Sequence, residues 1–226
     1  MADKPIAVIT GAASGIGLGL AVGFRAAGYD VIGVDRAAGD GITALDVRDS
    51  AAVMAFGAKL ERVAVLINAA GIIRRQEEYD PAVFADVIDV NVTGMMRLCV
   101  ACKPALARAK GSIVNIASIY ALTGAPHAPA YSASKGAVVQ LSKSLAIAWA
   151  SEGIRVNTVA PGWIITPLTD PIRADAVRNR TILDRVPMGR WGTTDEICDP
   201  ILFLASDAAR YVTGAVLSVD GGYAAM

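Results

Sequence analysis

Ile6-Ala-Val-Ile-Thr10 runs directly into Gly11-Ala-Ala-Ser-Gly15-Ile-Gly17, and this stretch decides the fold. The first five residues are a short apolar run typical of a buried strand, and a helical pattern follows the glycines. Glycines permit a tight turn here, and the helix N-terminus offers unpaired N–H groups and a positive dipole end to phosphates. The spacing, GxxxGxG, leaves a glycine turn without a ligand as the alternative. We predict a dinucleotide-binding turn, contacted through Gly11, Ser14, Gly15, Ile16 and Gly17.

Short apolar runs alternate with longer helical patterns along the rest of the chain. The runs are apolar throughout rather than on alternate residues, which indicates a parallel sheet covered on both faces. We predict a single domain over residues 1–226, a doubly wound Rossmann-type α/β fold with about seven strands and helices on both faces. The predicted strands are Ile6–Thr10, Asp30–Val34, Ile42–Leu45, Val63–Ile67, Ser112–Ala117, Ile154–Val159 and Ala215–Val219. The predicted helices are Gly15–Ala27, Ser50–Leu60, Val92–Ala109, Ser132–Ser151 and Thr194–Ala205.

Two segments interrupt this alternation. Residues 36–41 are too few for a helical crossover, which predicts a loop and a thinly covered edge of the sheet. Residues 166–191 are rich in Pro, Arg and Asp, with weak periodicity. Long insertions in compact domains often form lids over sites, so we interpret this segment as a candidate lid, with a plain surface excursion as the alternative.

Composition excludes several classes of function. The chain has 21 basic and 21 acidic residues, so no electrostatic footprint for nucleic acid or for an anionic membrane is present. No apolar run is long enough to span a bilayer. His127 is the only histidine, which argues against a metal site and against Ser-His-Asp hydrolysis. We expect no nucleic-acid partner, no membrane and no metal.

The cysteines and the start of the chain predict a cytoplasmic location. No signal-like segment precedes Pro5. The chain has three cysteines, an odd and small number that does not suit a disulfide framework. Cys99 and Cys102 form a CxxC, but it falls inside a helical pattern rather than at a strand-to-helix junction. We interpret them as buried small apolar residues.

Tyr131-Ser-Ala-Ser-Lys135 is the second informative stretch. A four-residue interval on a helix places the phenol and the ammonium on one face. A cation beside a phenol favours the phenolate, so we expect Lys135 to lower the pKa of Tyr131 below its usual ~10. Such a tyrosine could donate and accept a proton near neutral pH, as carbonyl reduction and alcohol oxidation require.

Asp35 directly follows the second predicted strand and points to the choice of cofactor. A carboxylate there can accept hydrogen bonds from an adenosine ribose and repels a 2′-phosphate. We therefore expect NAD, with NADP disfavoured. The neighbouring Arg36 could pair with a phosphate and weakens the preference.

Taken in order, these motifs identify the chain as similar to the short-chain dehydrogenase/reductase family from Ile6 to Gly222. One motif is a variant, since Asn68-Ala-Ala-Gly71 stands where Asn-Asn-Ala-Gly is commoner. The ordered matches are Thr10–Gly17, Asp46-Val47, Asn68–Gly71, Asn91, Ser118, Tyr131-x-x-x-Lys135, Pro161-Gly162 and Asp220–Gly222.

The resemblance implies catalytic roles for four residues. Ser118 would hold the substrate oxygen, Tyr131 would transfer the proton, and Lys135 would lower the Tyr131 pKa while binding the nicotinamide ribose. Asn91 would hold a water linking Lys135 to solvent. Capping is the alternative for Ser118, for Asn91 before a helix at Val92, and for Thr166 in a lid helix. Further cofactor contacts implied by the family are Asp46, Val47, Asn68, Ala69, Ala70, Gly71, Pro161, Gly162, Ile164 and Thr166.

The substrate is less clearly indicated. Gly71-Ile-Ile-Arg-Arg75 and the segment 173–192 resemble the subgroup acting on sugar acids and deoxy-keto-sugar acids, such as 2-deoxy-D-gluconate 3-dehydrogenase and gluconate 5-dehydrogenase. Arg74 or Arg75 could bind a carboxylate, or lie in solvent or between subunits. Tyr120, His127 and Trp163 are further candidate substrate contacts.

Two other functions stay open, and the family implies an oligomer. The alternatives are a 3-oxoacyl or 3-hydroxyacyl reductase on the same scaffold, and a nucleotide-binding protein that has lost the chemistry. The resemblance implies a homodimer or homotetramer in carbohydrate metabolism, and the apolar helices 92–109 and 132–151 fit helix packing between subunits.

Overall fold

A computed structural model describes residues 4–226, and its centre is a seven-stranded parallel sheet in the order β3-β2-β1-β4-β5-β6-β7. Every pair of neighbouring strands is parallel, as the apolar runs predicted. The strands are β1 (Ile6–Thr10), β2 (Asp30–Asp35), β3 (Ile42–Ala44), β4 (Val65–Asn68), β5 (Ser112–Ile116), β6 (Arg155–Pro161) and β7 (Val216–Val219). The Rossmann-type α/β prediction is confirmed.

Within residues 4–226, eight α-helices cover the two faces of the sheet and its carboxyl edge. They are α1 (Gly15–Ala26), α2 (Ser50–Ala58), α3 (Pro81–Ile88), α4 (Met95–Ala109), α5 (Pro129–Trp149), α6 (Asp170–Ala174), α7 (Ala176–Leu183) and α8 (Thr194–Ala205). A π-helical segment, Asp89–Gly94, joins α3 to α4 without a loop. Short 3-10 turns occur at Glu77–Tyr79 and Ile119–Ala121.

Successive strand residues point to opposite faces of the sheet, where they pack into two separate apolar clusters. Val8, Leu66 and Ile113 pack under α2, α4 and α5, and each is fully buried. Ile9 and Ile67 point the other way and pack with Phe24 of α1 and Ile197 of α8. Because the strands are covered on both faces, they have no polar side, which explains their uninterrupted apolar sequence.

The strand register brings the carboxyl ends of the central strands into one line. Thr10 pairs with Val34 on one side and Asn68 on the other, and Asn68 pairs in turn with Asn115. The loops that follow these residues therefore meet at one edge, which is where ligands bind in open α/β sheets.

Several elements differ from the sequence prediction. Helices α3, α6 and α7 were not predicted, because each is eight residues or shorter. The helix predicted from Val92 is preceded by the π-helical segment instead, so Asn91 does not cap it. Residues 36–41 form the expected loop, and two of the three residues of β3 are exposed at the thinly covered edge.

The segment 166–191 folds as two short helices packed on the domain. Ile172 of α6 and Ile182 of α7 are buried with Trp191, Ile119 and Tyr223 in a third apolar cluster. The side chain of Thr166 does not cap α6, which begins after Thr169. The segment therefore packs against the rest of the domain through this apolar cluster.

The three cysteines are free and buried, as predicted for Cys99 and Cys102. Burial raises the pKa of both Cys99 and Cys102 to about 12, so neither thiol carries the thiolate that redox chemistry needs. Between Lys4 and Met226, none of the helices combines the length and the hydropathy needed to cross a bilayer.

The contact between α2 and α4 gives a test of the packing. A Cβ added at Gly57 would overlap the carbonyl oxygen of Ala101, whereas a Cβ at the helical Gly136 of α5 would meet nothing within 4 Å. We expect Gly57→Ala to lower the free energy of unfolding by about 1–3 kcal/mol through overpacking. The control Gly136→Ala should raise it by about 0.5–1 kcal/mol. Urea unfolding of both variants checks this, and an unchanged midpoint for Gly57→Ala would contradict the packing.

Candidate active site

Tyr131 and Lys135 lie one turn apart on the first turns of α5 and face the carboxyl edge of the sheet. Tyr131 is half-buried, and Lys135 is only 5% exposed. The Lys135 Nζ lies 5.3 Å from the centroid of the Tyr131 ring. The ammonium donates a hydrogen bond of 2.8 Å to the carbonyl of Ile116 at the end of β5. The predicted pairing on one helix face is therefore present.

The predicted direction of the Tyr131 pKa is wrong for the chain alone. Burial raises the pKa of Tyr131 to about 12, although the Ser118 hydroxyl and the Arg75 guanidinium both lower it. Burial also lowers the pKa of Lys135 to about 8. The reason is that removal from water disfavours both charged forms, while the ammonium is directed to the Ile116 carbonyl rather than to the phenol oxygen.

Ser118 lies two residues beyond β5, beside the Tyr131 phenol. It is 8% exposed, and its hydroxyl accepts a hydrogen bond of 3.2 Å from the N–H of Tyr120. The same hydroxyl lowers the pKa of Tyr131. Ser118 thus does cap the short turn that follows it, and it also stands next to the phenol.

Asn91 joins the loop after β4 to α5. Its Oδ1 accepts from the N–H of Ile72 at 2.8 Å, and its Nδ2 donates to the Ile72 carbonyl at 2.9 Å and to Ser134 Oγ at 2.9 Å. A Cβ on Gly71 would lie 3.2 Å from Asn91 Oδ1 and 3.5 Å from Lys135 Nζ. Asn91 and the lysine therefore approach the same glycine from two sides.

The glycine turn has the conformation that its sequence predicts. Gly11 and Gly15 have φ of +70° and +54°, in the left-handed region that favours glycine. A Cβ on Gly17 would overlap the carbonyl of Gly11, so α1 can start this close to β1 only without a side chain. The Ser14 side chain makes no capping bond. The α1 N-terminus is therefore open toward the carboxyl edge.

The β2 end carries a fixed carboxylate. Asp35 Oδ2 accepts from the N–H of Ala13 at 3.1 Å, and Oδ1 accepts from the N–H of Arg36 at 2.7 Å. The Arg36 side chain is exposed. The carboxylate is thus held at the glycine turn by two backbone donors.

Arg48 is a feature of this end that sequence reasoning missed. Its guanidinium binds both carboxylate oxygens of Asp46 and reaches Asp86 on α3 at 2.9 Å. The contact with Arg48 lowers the pKa of Asp46 to about 2. An arginine two residues after Asp46 was the only signal, and the partner Asp86 could not be read from the sequence.

One cavity of about 420 Å³ joins these two ends. Its walls include the glycine turn, Asp35, Arg36, Asp46 and Val47 at one end, and Ser118, Tyr120, Tyr131, Lys135 and Trp163 at the other. Ala69, Ala70, Gly71, Arg74, Pro161, Gly162, Ile164 and Thr166 also line it.

Three predicted residues stand behind the lining. Asn68 is 5% exposed and donates to Asn115 Oδ1 at 2.8 Å, so its amide ties β4 to β5. His127 packs edge-on against Tyr120, with ring centroids 5.8 Å apart. Asn91 holds the loop at Ile72, as described above.

The far end of the cavity combines aromatic rings with a guanidinium. Tyr120 packs edge-on against Tyr131 at 6.3 Å and against Trp163 at 6.1 Å. Arg75, which also lines the cavity, is half-buried, and its Nε is buried without a hydrogen-bond partner among the described residues. Arg74 is exposed, although it too lines the cavity. Of the two arginines, Arg75 is the more buried.

The segment 166–191 borders the glycine turn. A Cβ on Gly15 would lie 3.6 Å from the Thr166 side chain. The Thr169 hydroxyl donates to the Ile164 carbonyl at 2.7 Å and accepts from the Thr166 N–H at 3.1 Å. These hydrogen bonds fix the start of the segment beside the end of β6 and the cavity.

Comparison with known proteins agrees with this geometry. The family model described as enoyl-(acyl carrier protein) reductase matches residues 11–224. The chain is 40% identical over 237 residues to 2-dehydro-3-deoxy-D-gluconate 5-dehydrogenase of Bacillus subtilis (strain 168), covering 96% of this chain and 93% of that one. It is 43% identical over 242 residues to galactitol 2-dehydrogenase (L-tagatose-forming) of Cereibacter sphaeroides, covering 98% and 95%.

A solved structure shows the same fold. The gluconate 5-dehydrogenase from Burkholderia cenocepacia J2315, in complex with NADP and tartrate, superposes with a TM-score of 0.93 at 33% identity, covering 99% of this chain and 96% of that one. The ordered motifs, the parallel sheet and these relatives agree. The chain is an oxidoreductase that belongs to the short-chain dehydrogenase/reductase family.

Proposed function

We propose that this protein transfers a hydride between a nicotinamide cofactor, with NAD preferred, and a secondary alcohol or ketone of a sugar acid, deoxy-sugar acid or polyol. The observation that carries the proposal is the single cavity joining the glycine turn to Ser118, Tyr131 and Lys135. Its first end fits a dinucleotide, because the Gly11–Gly17 turn leaves an α1 N-terminus without side-chain obstruction. Its second end holds a hydroxyl, a phenol and an ammonium where a proton has to move.

The fit to the cofactor rests on the residues around this cavity. Asp35 would hold the adenosine ribose, Asp46 and Val47 would flank the adenine, and Ala69 to Gly71 would line the adenosine side. Lys135 would hold the nicotinamide ribose, with Pro161, Gly162, Ile164 and Thr166 around the nicotinamide. Asn68 would support this wall from behind, through its bond to Asn115. When bound, the nicotinamide supplies the acceptor or donor of the hydride.

The residues at the second end would move the proton. Ser118 would hold the substrate oxygen, and the Tyr131 phenol would donate a proton to that oxygen in reduction or accept one in oxidation. Ser118 and Arg75 both lower the pKa of Tyr131 and so oppose the effect of burial. Asn91 would hold a water that links Lys135 to solvent, a role supported by the approach of both side chains to Gly71.

Substitution of Tyr131 tests the chemistry. We expect Tyr131→Phe to lower kcat by about 10²–10⁴-fold, because general acid–base catalysis typically contributes this much. The dissociation constant for NADH, measured by fluorescence, should stay unchanged. Tyr211→Phe is the matched control, since Tyr211 is 101% exposed and should keep full activity. Turnover retained by Tyr131→Phe would rule out its role.

The preference for NAD depends on the balance of charge at the β2 end. The Asp35 carboxylate is held by the N–H groups of Ala13 and Arg36, so it cannot easily turn away from a 2′-phosphate. Arg48 is paired with Asp46 and Asp86, which leaves Arg36 as the exposed cation beside Asp35. The Burkholderia relative carries NADP, so the preference must be measured for this chain.

Substitution of Asp35 or Arg36 should change the preference between NAD and NADP. We expect the wild type to show the higher kcat/KM with NAD. Asp35→Ser should raise kcat/KM for NADP relative to NAD by about tenfold or more, because about 1.4 kcal/mol of repulsion is a factor of ten. Arg36→Ala should move the ratio in the opposite direction. A wild-type preference for NADP would overturn the assignment.

Arg75 is the better candidate for binding a substrate carboxylate. Arg75 lines the cavity and is half-buried, so its guanidinium can pair with an anionic group on the substrate. Arg74, named first from the sequence, is exposed. A half-buried guanidinium also favours sugar acids over the apolar chains of the acyl-reductase alternative.

A pair of substitutions tests this role. We expect Arg75→Met to lower kcat/KM for aldonates by roughly ten- to a hundredfold, the value of a charge-assisted hydrogen bond of about 1.5–3 kcal/mol. The value for a neutral polyol should change little, and the ratio of the two cancels any effect on Tyr131. Arg74→Met is the control. Equal losses on aldonate and polyol would exclude carboxylate binding.

We propose three further properties. The segment 166–191 acts as a lid, because it starts beside Gly15 and covers the cavity edge. The protein forms a homodimer or homotetramer, supported by the exposed Val100 on α4 and Ile147 on α5, 41% and 81% exposed. It works in the cytoplasm, which suits three free cysteines.

A further inference from the structure

Glu78 is a buried carboxylate that the proposed chemistry does not use. It lies in the 3-10 turn Glu77–Tyr79, between the loop that carries Arg74 and Arg75 and helix α3, and is only 1% exposed. Its Oε1 accepts from the N–H of Arg74 at 2.7 Å. Its Oε2 accepts from the N–H of Tyr131 at 2.8 Å. Both oxygens are therefore occupied by backbone donors from two different segments of the site.

The hydrogen bond from the Tyr131 N–H to Glu78 supplies an acceptor for the N-terminus of α5, which has no side-chain cap of its own. The first N–H groups of a helix have no partner within the helix. The residue before α5, Ala128, has no side-chain capping bond, and the first turn contains no acidic residue. Pro129 has no N–H, and Tyr131 is the third residue of the helix. Glu78 thus caps α5 from outside and places a negative charge at its positive end.

The same carboxylate ties this helix end to the loop that carries Arg75. The neighbouring N–H of Gln76 donates to the His127 carbonyl at 2.8 Å, and Tyr79 Oη donates to the Pro126 carbonyl at 2.8 Å. These two bonds hold the outer part of the turn to the segment before α5. Within this turn, Glu78 is the residue whose side chain accepts the N–H of Tyr131.

We propose that Glu78 is a positioning residue, which fixes the Tyr131 backbone and the Arg75 loop in one arrangement and so aligns the phenol with the substrate. This inference rests on the proposed dehydrogenase function. It assigns Glu78 no contact with the substrate or the cofactor. A shift of the tyrosine by even an ångström would be costly, because proton transfer requires hydrogen-bond distance.

Glu78 also belongs to the electrostatic environment of the phenol. Its charge raises the pKa of Tyr131, in opposition to Ser118 and Arg75. A variant that loses this charge should therefore ionise the phenol at lower pH, and the limb of the oxidation kcat–pH profile should move the same way. The titratable and charged groups nearest the phenol and Glu78 are Arg75, Tyr120, His127 and Lys135.

Two substitutions separate position from charge. Glu78→Gln keeps the length but replaces one acceptor with a donor and removes the charge, whereas Glu78→Asp keeps the charge and shortens the reach. We expect both to lower kcat by roughly ten- to a hundredfold through misplacement, with the dissociation constant for NADH unchanged. Glu78→Gln should move the pH limb to lower pH. Asp80→Asn is the matched control, because this exposed carboxylate also accepts two backbone N–H bonds, but on α3.

A measurement without turnover completes the test. The phenol of Tyr131 is titrated by tyrosinate absorbance, as the difference between each protein and its Tyr131→Phe counterpart. A changed phenol pKa in Glu78→Asp, where the charge is kept and only the position differs, supports the proposal, and an unchanged one refutes it. If both Glu78 variants keep wild-type kcat while their Tm falls, Glu78 is only a structural cap. A wild type inactive on every substrate would refute the proposed function instead, and the titration would still decide the role of Glu78.

Discussion

The hydroxyl of Thr10 holds the carboxyl edge of the sheet together at the point where the strand order reverses. It accepts hydrogen bonds from the N–H groups of both Ala69 and Ala70, at 3.1 and 3.0 Å, and is 2% exposed. β1 pairs with β2 on one side and β4 on the other, so the loops that follow β1 and β4 diverge here. This divergence opens the crevice in which open α/β sheets bind ligands. The glycine turn, the cavity and the alignment of both with α5 all depend on this junction.

Burial, rather than any single ion pair, governs the electrostatics of the site. It raises the pKa of Tyr131 and lowers that of Lys135, so both side chains are driven toward their neutral forms. Ser118 and Arg75 favour the phenolate, while Glu78 opposes it. These groups come from the loop after β5, the loop after β4 and the turn before α3. The proton affinity of one phenol is thus set by three separate segments that only the fold brings together.

The sequence predicts the parts of this molecule that follow local rules. All seven strands were located, because continuous apolar runs reflect burial on both faces. Tyr131 and Lys135 were paired correctly, because their spacing is a property of a helix. The choice between Arg74 and Arg75, the position of Asn68 behind the cavity and the direction of the Tyr131 pKa depend on burial by distant segments. Glu78 was missed for the same reason, since its partner lies 53 residues away in the chain.

The π-helical segment between α3 and α4 has a consequence for how this fold can vary. A π turn accommodates one residue more than an α-helical turn, and such turns are frequent at functional sites. If all residues from Asp89 to Gly94 stayed but took regular α-helical geometry, everything on one side of the joint would rotate by about 100°. Asn91 would then leave Ile72, or Leu98 and Cys102 would leave the core. The π-helical segment therefore sets the rotation of α4 relative to α3. With this rotation, α4 packs in the core while Asn91 holds the loop at Ile72.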